Sequence, residues 1–225
     1  MGTVGGVKTT FGFRDVLASE DDLRVVYDRA ASERSKLKKI DRLDAHCVTF
    51  LEHSTFVLIG TRALDGTADV SPKGGPPGFA VALDEHRLAI PDLAGNNLLD
   101  SFTNLVHDPG IGLLFLIPGV DETLRINGRA CITQDPTVLA SLRDRDPRVA
   151  PITAIGVEVE EAFMHCAKAF RRGSVWHPTE WPDASAVPSL GCILRDHANL
   201  GEIDVNAVDA MIEESYATTM WQPGG

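Results

Sequence analysis

The sequence contains no apolar run long enough to cross a membrane. Its longest apolar stretches, such as residues 111–117, have the length of a β-strand, whereas a membrane-spanning helix needs about 20 apolar residues. Residues 1–8 also lack the apolar core of a secretory signal peptide. We therefore expect no membrane partner.

Cysteines are few and widely spaced. The sequence has four, with no CxxC pair: Cys47, Cys131, Cys166 and Cys192. This spacing favours neither a zinc site nor a thioredoxin-type redox motif, and the seven histidines have no zinc-ligand spacing with a cysteine or carboxylate. The pattern predicts free thiols, a cytoplasmic location and no metal site, although sequence alone does not exclude a disulfide.

Basic residues are outnumbered by acidic ones. The 21 Lys and Arg residues face 32 Asp and Glu residues, which gives a formal net charge of −11. A nucleic-acid-binding surface needs a basic face, so this balance argues against a nucleic-acid partner. With 225 residues, 44% of them hydrophobic, the chain can bury a core without disulfides or a structural metal.

The common nucleotide and hydrolase motifs are missing as well. The sequence has no GxGxxG after a predicted strand, no GxxxxGK[ST], no GxSxG and no HExxH. A long series of βαβ units is also lacking, which argues against a doubly wound nucleotide-binding fold.

The hydrophobic period changes near residue 55. Residues 19–30 and the segment that opens at Asp41 have helical apolar spacing, with Ser19 as an N-cap. Beyond them, short alternating segments and turn signals such as Asp65-Gly66 predict antiparallel strands. These strands are predicted over residues 55–62, 67–71, 79–83, 87–90, 111–117, 122–132 and 154–163.

The segments between and after these strands are predicted from their proline and capping residues. Residues 72–78 are rich in proline and glycine, so we expect a loop there. Asn96 or Asn97 is expected to cap a helix that ends near Val106. Further helices are predicted at residues 137–142 and from Asp204 onward, and residues 174–190 are expected to be irregular.

The predicted fold class is mainly β with flanking helices (α+β), built around a small closed antiparallel barrel. We predict three regions: an N-terminal helical extension over residues 1–40, a barrel domain over 41–170, and an irregular segment with a helix over 171–225. The last region is expected to pack on the barrel or on a second copy.

One group of polar residues falls at strand ends and at a helix start. Arg62, Lys73 and the segment 95–101 could together bind an anion, because a helix N-terminus offers unpaired N–H groups and a partial positive charge. Asn96, Asn97 and Ser101 would add side-chain donors. The alternative is that an asparagine is only an N-cap and Lys73 is only a solvated lysine.

Two other groups are less specific. Thr123, Arg125 and Asn127 share one face of a predicted strand, where they are either solvated or line a polar ligand edge. Trp176 follows Lys168 in a proline-broken stretch, where it is either a packing anchor or an aromatic wall for a planar ligand.

The order of these motifs resembles that of the pyridoxamine 5′-phosphate oxidase-like flavoproteins, which are FMN-binding split β-barrels. The resemblance covers roughly residues 40–170 and is closest to a branch of FMN-dependent enzymes with SPKG and GNN..DS segments. It is carried by Arg62, Asp65-Gly66, Val70 to Gly74, Leu88 to Pro91, Gly95-Asn96-Asn97, Asp100-Ser101, Pro109, and Leu124 to Ala130.

The resemblance implies a homodimer with FMN at the subunit interface. It places the family's strand-end lysine at Lys73 and its phosphate-binding helix start at Asn96, Asn97, Leu98 and Ser101. The flavin would lie against the backbone of Val70 and Ser71. The other positions implied are Thr123 and Arg125 near the ring, and Lys168, Arg171 and Trp176 as late contacts. A flavin also needs a dry wall, which Ile90 and Pro91 could supply, and a cationic phosphate pocket, to which Arg62 could contribute.

The sequence departs from the family pattern at the helix start. Relatives commonly carry basic residues there, where this chain has Asn97 and Leu98. Because a phosphate monoester carries a charge of about −1.5 to −2 at pH 7, fewer cations should weaken its binding. The Arg/His substrate signature of the vitamin B6 oxidases is also missing.

Two functions are compatible with this pattern. The first is an FMN-dependent oxidoreductase that moves a hydride between flavin N5 and a small organic substrate. The second is a binding protein that holds FMN, a deazaflavin or another phosphate-bearing ligand without turnover. No side chain is an obvious acid or base, and in a flavoenzyme the cofactor supplies the redox chemistry.

Overall fold

The computed structural model describes residues 12–222, and the chain divides into two compact units after Leu37. The first unit contains helices α1 (Glu20–Val26) and α2 (Glu33–Leu37). Ser19 caps α1 as predicted, because its hydroxyl accepts from the backbone N–H of Asp22 while the Asp22 carboxylate accepts from the backbone N–H of Ser19. Every described residue of this unit is exposed.

The second unit is built on one antiparallel sheet of seven strands. The strands are β1 (Phe56–Arg62), β2 (Ala68–Gly74), β3 (Val81–Ala82), β4 (Arg87–Pro91), β5 (Gly110–Leu116), β6 (Thr123–Thr133) and β7 (Ala154–His165). Their order across the sheet is β2-β1-β5-β6-β7-β4-β3. The mainly β fold with flanking helices is confirmed, and it is a split barrel whose sheet ends at β2 on one side and at β3 on the other.

Six helices flank the sheet. They are α3 (Ala45–His53), α4 (Asp100–His107), α5 (Pro136–Arg145), α6 (Lys168–Arg172), α7 (Leu190–His197) and α8 (Val205–Thr219). Aspartate side chains cap α3, α5 and α8, and Ser189 caps α7. Among the residues described, no helix is long and apolar enough to span a bilayer.

The core fills the inside of the barrel. On β1, Val57 and Ile59 are fully buried, and β5 and β6 contribute their own alternating apolar residues. A smaller second cluster lies between α5 and the β3–β4 end of the sheet. Its buried members are Val81, Ala89, Leu139, Leu142, Val149 and Ala154.

The prediction that residues 72–78 form a loop from Pro72 onward is wrong. Pro72, Lys73 and Gly74 continue β2, and Pro72 lies opposite Leu58 of β1. An edge strand can hold a proline where the missing N–H would point away from its neighbour, and β2 is at the edge of the sheet. Lys73 therefore lies on a strand rather than on a solvated loop.

The strand predicted over residues 79–83 is shorter than expected. Only Val81 and Ala82 pair with β4, whereas Phe79 and Ala80 are buried in the core before the strand begins. Their apolar character comes from core packing rather than from sheet pairing. Conversely, β4 runs one residue further than predicted and includes Pro91.

A bulge bends β7 where it crosses β6, because Glu160 is an extra residue between Val159 and Glu161, the partners of Gly128 and Asn127. The pairing register shifts between Asn127 and Gly128. A Cβ atom at Gly128 would overlap the carbonyl oxygen of Glu158 on β7, so only glycine fits this crossing.

Candidate ligand site at the opening of the barrel

A cavity of about 280 Å³ lies between β2 and the segment that links β4 to α4. This linking segment includes residues 92–97, which we call the pocket loop. The cavity is lined by residues 69–73 of β2, by Asp92, Leu93 and residues 95–99 of the link, and by Asp100, Ser101 and Phe102 at the start of α4.

Strand β2 presents three polar side chains to this cavity. Asp69, Ser71 and Lys73 alternate with the exposed Val70 and Pro72, as the period of a strand requires. The inward face of β2 therefore carries one cation, one hydroxyl and one carboxylate.

Lys73 makes an ion pair across the opening of the barrel. Its Nζ lies 2.9 Å from Oδ1 of Asp92, which directly follows β4, and the side chains are only 23% and 10% exposed. The same Nζ lies 5.3 Å from the ring centroid of Phe102 on α4. An ammonium group has three N–H donors, so Lys73 retains donors for a ligand while Asp92 fixes its position.

The predicted asparagine cap of α4 is wrong. The N-cap residue is Leu99, which has a left-handed backbone (φ 58°) and makes no side-chain cap hydrogen bond. Asn97 is also left-handed (φ 56°), and the side-chain oxygen of Asn96 accepts from the backbone N–H of Leu98. The first turn of α4 therefore faces the cavity without a side-chain cap.

A hydrogen-bond network ties α4 to the first two strands. The Asp69 carboxylate accepts from the hydroxyls of Ser101 (3.0 Å) and Thr61 (3.3 Å), and Asn104 donates to the Thr61 oxygen (3.0 Å). Ser101 commits its only proton to Asp69, so its oxygen is left as an acceptor. The predicted role of Ser101 as a donor is not available in this arrangement.

The electrostatics of the cavity are mixed. One cation, Lys73, faces the carboxylates of Asp69, Asp92 and Asp100. The donors that remain for an anion are the other N–H groups of Lys73 and the amides at the uncapped start of α4. These two sets of donors converge on one cavity, and this convergence fits a phosphate group, whereas the carboxylates oppose its charge.

Sequence reasoning missed the two carboxylates that organise the site. The strand period that joins Asp69 to Ser71 and Lys73 could have revealed Asp69, had β2 been extended to Lys73. Asp92 carried no such signal, because its partner lies 19 residues away and the contact depends on how the barrel closes.

Six predicted site residues line this one cavity: Val70, Ser71, Lys73, Asn96, Asn97 and Ser101. Three other predicted residues belong to β1 and β4 and do not line the cavity. Arg62 is exposed at the end of β1, Ile90 is fully buried in the barrel core, and Pro91 is buried at the end of β4.

The remaining predicted residues lie outside the cavity. Thr123 is buried at the start of β6, and Arg125 stacks over the ring of Phe163 at 5.7 Å. Lys168 begins α6. The indole N–H of Trp176 donates to the carbonyl of Val120 (2.9 Å), so Trp176 anchors the segment after α6 to the β5–β6 connection.

Apolar side chains surround the mouth of the cavity. Three of them are between 51% and 66% exposed: Val70, Leu98 and Leu99. Exposed apolar groups of this size around a polar cavity are typical of a surface that meets a ligand or a partner.

The fold and the cavity together define an antiparallel split barrel with a ligand site at its opening. A sequence model of the family described as pyridoxamine 5′-phosphate oxidase matches residues 43–166, more than half of the chain. The chain belongs to the pyridoxamine 5′-phosphate oxidase family. No curated protein sequence matches it.

Solved structures of low sequence identity resemble part of the chain. HupZ of Group A Streptococcus is 15% identical, with a TM-score of 0.44 over 54% of this chain and 93% of that one. An FAD binding protein from Mycobacterium smegmatis is 16% identical, with a TM-score of 0.39 over 56% and 97%. A Clostridium acetobutylicum protein related to general stress protein 26 is 16% identical, with a TM-score of 0.38 over 52% and 83%. We infer no activity from these likenesses.

Proposed function

We propose that the chain is an FMN-dependent oxidoreductase that moves a hydride between flavin N5 and a small organic substrate. Family membership supports a flavin as the cofactor. The observation that carries the proposal is that Lys73 and the uncapped start of α4 line the same cavity. Anion donors from two distant parts of the sequence meet there.

In this proposal Lys73 and the first amides of α4 hold the phosphate. The helix start contributes a partial positive charge, and Lys73 contributes a full one. Asp92 orients Lys73 through the 2.9 Å ion pair. Ser71, on the same face of β2, is placed to donate its hydroxyl to the ligand.

The bound flavin would supply the hydride chemistry, and the residues of the chain would bind and orient it. The apolar side chains around the mouth would exclude water from the reacting face. The titratable groups that line the cavity are Lys73, Asp69, Asp92 and Asp100. Each is already paired or would lie around the phosphate, so none is assigned as an acid or base.

We further propose that a second copy covers the mouth of the cavity. A volume of about 280 Å³ is just below the range of ligand pockets, roughly 300–1,000 Å³, so a flavin ring would extend beyond it. The exposed rim of Val70, Leu98 and Leu99 offers an apolar surface for that copy. Thr123, Arg125, Lys168 and Trp176, which lie outside the cavity, would then act from the second copy.

A second candidate function is ligand binding without turnover. It is favoured by the lining of the cavity, where no titratable group is assigned as an acid or base for turnover. A deazaflavin or another phosphate-bearing ligand would occupy the same cavity in this case.

The two functions are separated by identifying the retained ligand and testing its redox cycle. The purified protein is examined by absorbance and mass spectrometry, and any bound flavin is reduced with NADPH or dithionite in a stopped-flow instrument. Reoxidation by an added organic acceptor supports the oxidoreductase, whereas a bound flavin that no acceptor reoxidises supports the binding role. A colourless protein that does not bind added FMN contradicts the oxidoreductase, and it contradicts the binding role as well if mass spectrometry finds no other phosphate-bearing ligand.

A further inference from the structure

The segment Trp221–Gln222 contacts the pocket loop directly. The backbone N–H of Ala94, in the middle of the pocket loop, donates to the backbone carbonyl of Gln222 (3.0 Å). Neither Ala94 nor Gln222 lines the cavity. A residue 128 positions further along the chain therefore satisfies a backbone donor of the loop.

A shared apolar cluster joins the same two segments. Leu93 of the pocket loop and Trp221 both pack on the second cluster, around Leu142 and Ala154. Leu93 also lines the cavity. Any movement of Trp221 off this cluster would remove apolar contacts next to the loop, so the packing of the two segments is coupled.

An arginine contacts the indole of Trp221. The guanidinium carbon of Arg148 lies 4.5 Å from the centroid of the indole, a distance typical of a cation–π contact. Two hydrogen bonds fix this guanidinium to Asp146, from Nε to Oδ1 (3.0 Å) and from Nη2 to Oδ2 (2.6 Å). The indole therefore contacts both a fixed cation and an apolar cluster.

The pocket loop has few other anchors in the part of the chain that the structure describes. The backbone N–H of Asp92 donates to the carbonyl of Thr153 (3.1 Å), and the Asp92 carboxylate binds Lys73. Both anchors lie at the first residue of the loop. The hydrogen bond at Ala94 is the next one along, ahead of the exposed residues Gly95, Asn96 and Asn97.

We propose that Trp221 and Gln222 form a clamp that positions the pocket loop and thereby controls ligand affinity from outside the cavity. Trp221 is a positioning residue in this scheme, since it packs on the same apolar cluster as Leu93 of the loop and does not line the cavity. The effect on affinity rests on the proposed function, because the probe is FMN. The effect on the position of the loop does not rest on the proposed function.

The test compares Trp221→Ala with Trp221→Phe, which keeps an aromatic ring over Arg148, and with Trp181→Ala. Trp181 is a matched control because it is an exposed tryptophan that hydrogen-bonds to Ser174 and Val175, away from the cavity. Arg148→Ala removes the cation that contacts Trp221, and it therefore weakens the packing of Trp221 in a second way. Residue 148 is exposed, so this change is expected to leave the fold intact. Hydrogen exchange is measured over residues 92–97, and FMN affinity by fluorescence quenching.

We expect Trp221→Ala to speed amide exchange in the pocket loop by about tenfold or more, because local opening governs exchange. FMN affinity should fall about tenfold, within the range usual for coupling between two sites. Arg148→Ala should show the same changes to a smaller degree. Trp221→Phe and Trp181→Ala should resemble the unaltered chain.

Unchanged exchange over residues 92–97 in folded Trp221→Ala and Arg148→Ala would overturn the clamp. Faster exchange together with unchanged FMN affinity would overturn its control of the ligand. If the unaltered chain does not bind FMN, the proposed function fails, and the exchange measurement alone decides whether the clamp exists. If Trp221→Ala does not fold, the same comparison is made with Arg148→Ala.

Discussion

Lys73 and Asp92 form an ion pair that joins the edge strand β2 to the end of β4, two segments that are not neighbours in the sheet. The pair closes the opening of the split barrel beside the cavity. It therefore has two roles to separate by experiment, one in the stability of the fold and one in ligand binding.

The stability role predicts coupling between the two residues. Replacing either one alone, as in Lys73→Met or Asp92→Asn, leaves a largely buried partner without its counterpart. Each is expected to lower the free energy of unfolding by about 1–3 kcal/mol, as for other hydrogen bonds to charged groups. Urea unfolding of both single variants and the double variant measures the coupling. Because the second change removes an already unpaired group, the double variant should cost less than the sum, and strict additivity would contradict the pairing.

Gly128 predicts a sharp cost for the smallest added side chain. Gly128→Ala would place a Cβ against the carbonyl of Glu158 beside the β7 bulge, and it should lower the free energy of unfolding by about 1–3 kcal/mol. Gly112→Ala is a matched control on the neighbouring strand, where the nearest atom would be Oδ1 of Asn127 at 3.6 Å, an ordinary contact. Equal thermal midpoints for the two variants would show that the bulge does not require glycine.

The four cysteines should differ in reactivity. Burial on α3, aided by the nearby Asp44 carboxylate, raises the pKa of Cys47 to about 11, whereas Cys131 and Cys166 are exposed. Alkylation by iodoacetamide at pH 8 should be on the order of a hundredfold slower at Cys47, because only the thiolate reacts. Peptide mass spectrometry of the native chain measures this ratio, with urea-unfolded chain as the control. Comparable native rates at Cys47 and Cys131 would mean that α3 does not bury this thiol.

Asp44 predicts a pH dependence of stability. Its carboxylate caps α3 by accepting from the backbone N–H of Cys47 (2.9 Å), and this hydrogen bond lowers the pKa below its ordinary value of 3.8. A lowered folded-state pKa stabilises the fold above the ordinary value, and this contribution disappears as the pH falls through the lowered one.

Asp44→Ala should therefore lower the free energy of unfolding by about 1 kcal/mol at pH 7 and by less near pH 2. Asp44→Asn keeps a capping oxygen without a titrating group. The difference in the free energy of unfolding between this variant and the unaltered chain should therefore shrink or change sign in acid. Urea unfolding from pH 2 to pH 7 measures both. A cost of Asp44→Ala that is the same at both ends of this range would contradict a charged cap.

Local patterns in the sequence predicted the barrel but not the details of its opening. The strand alternation and the Asp65-Gly66 turn identified β1 and β2 because those signals arise within a few residues. The end of β2 was misplaced because Pro72 normally breaks a ladder, and only its position at the sheet edge permits it. Edge position is a property of the whole topology, which a local pattern does not contain.

The candidate site was predictable to a similar extent. Lys73 and Ser101 were singled out by residue type and by resemblance, and the structure brings them to one cavity. The cap of α4 was misplaced because Asn96 and Asn97 form a turn of their own, which leaves Leu99 in the left-handed conformation at the helix start. Asp92 and the clamp at Trp221 depend on contacts between distant segments, so no window of the sequence carries them.

We propose that Lys73 and the start of α4 bind the phosphate of a flavin. Calorimetric titration of FMN and riboflavin into the unaltered chain, Lys73→Ala and the surface control Lys36→Ala tests it most directly, because the two ligands differ only in the phosphate. We predict that FMN binds more tightly than riboflavin, that Lys73→Ala weakens FMN about 10- to 100-fold with little effect on riboflavin, and that Lys36→Ala changes neither. Equal affinities for FMN and riboflavin in the unaltered chain, or no binding of FMN at all, would contradict the claim.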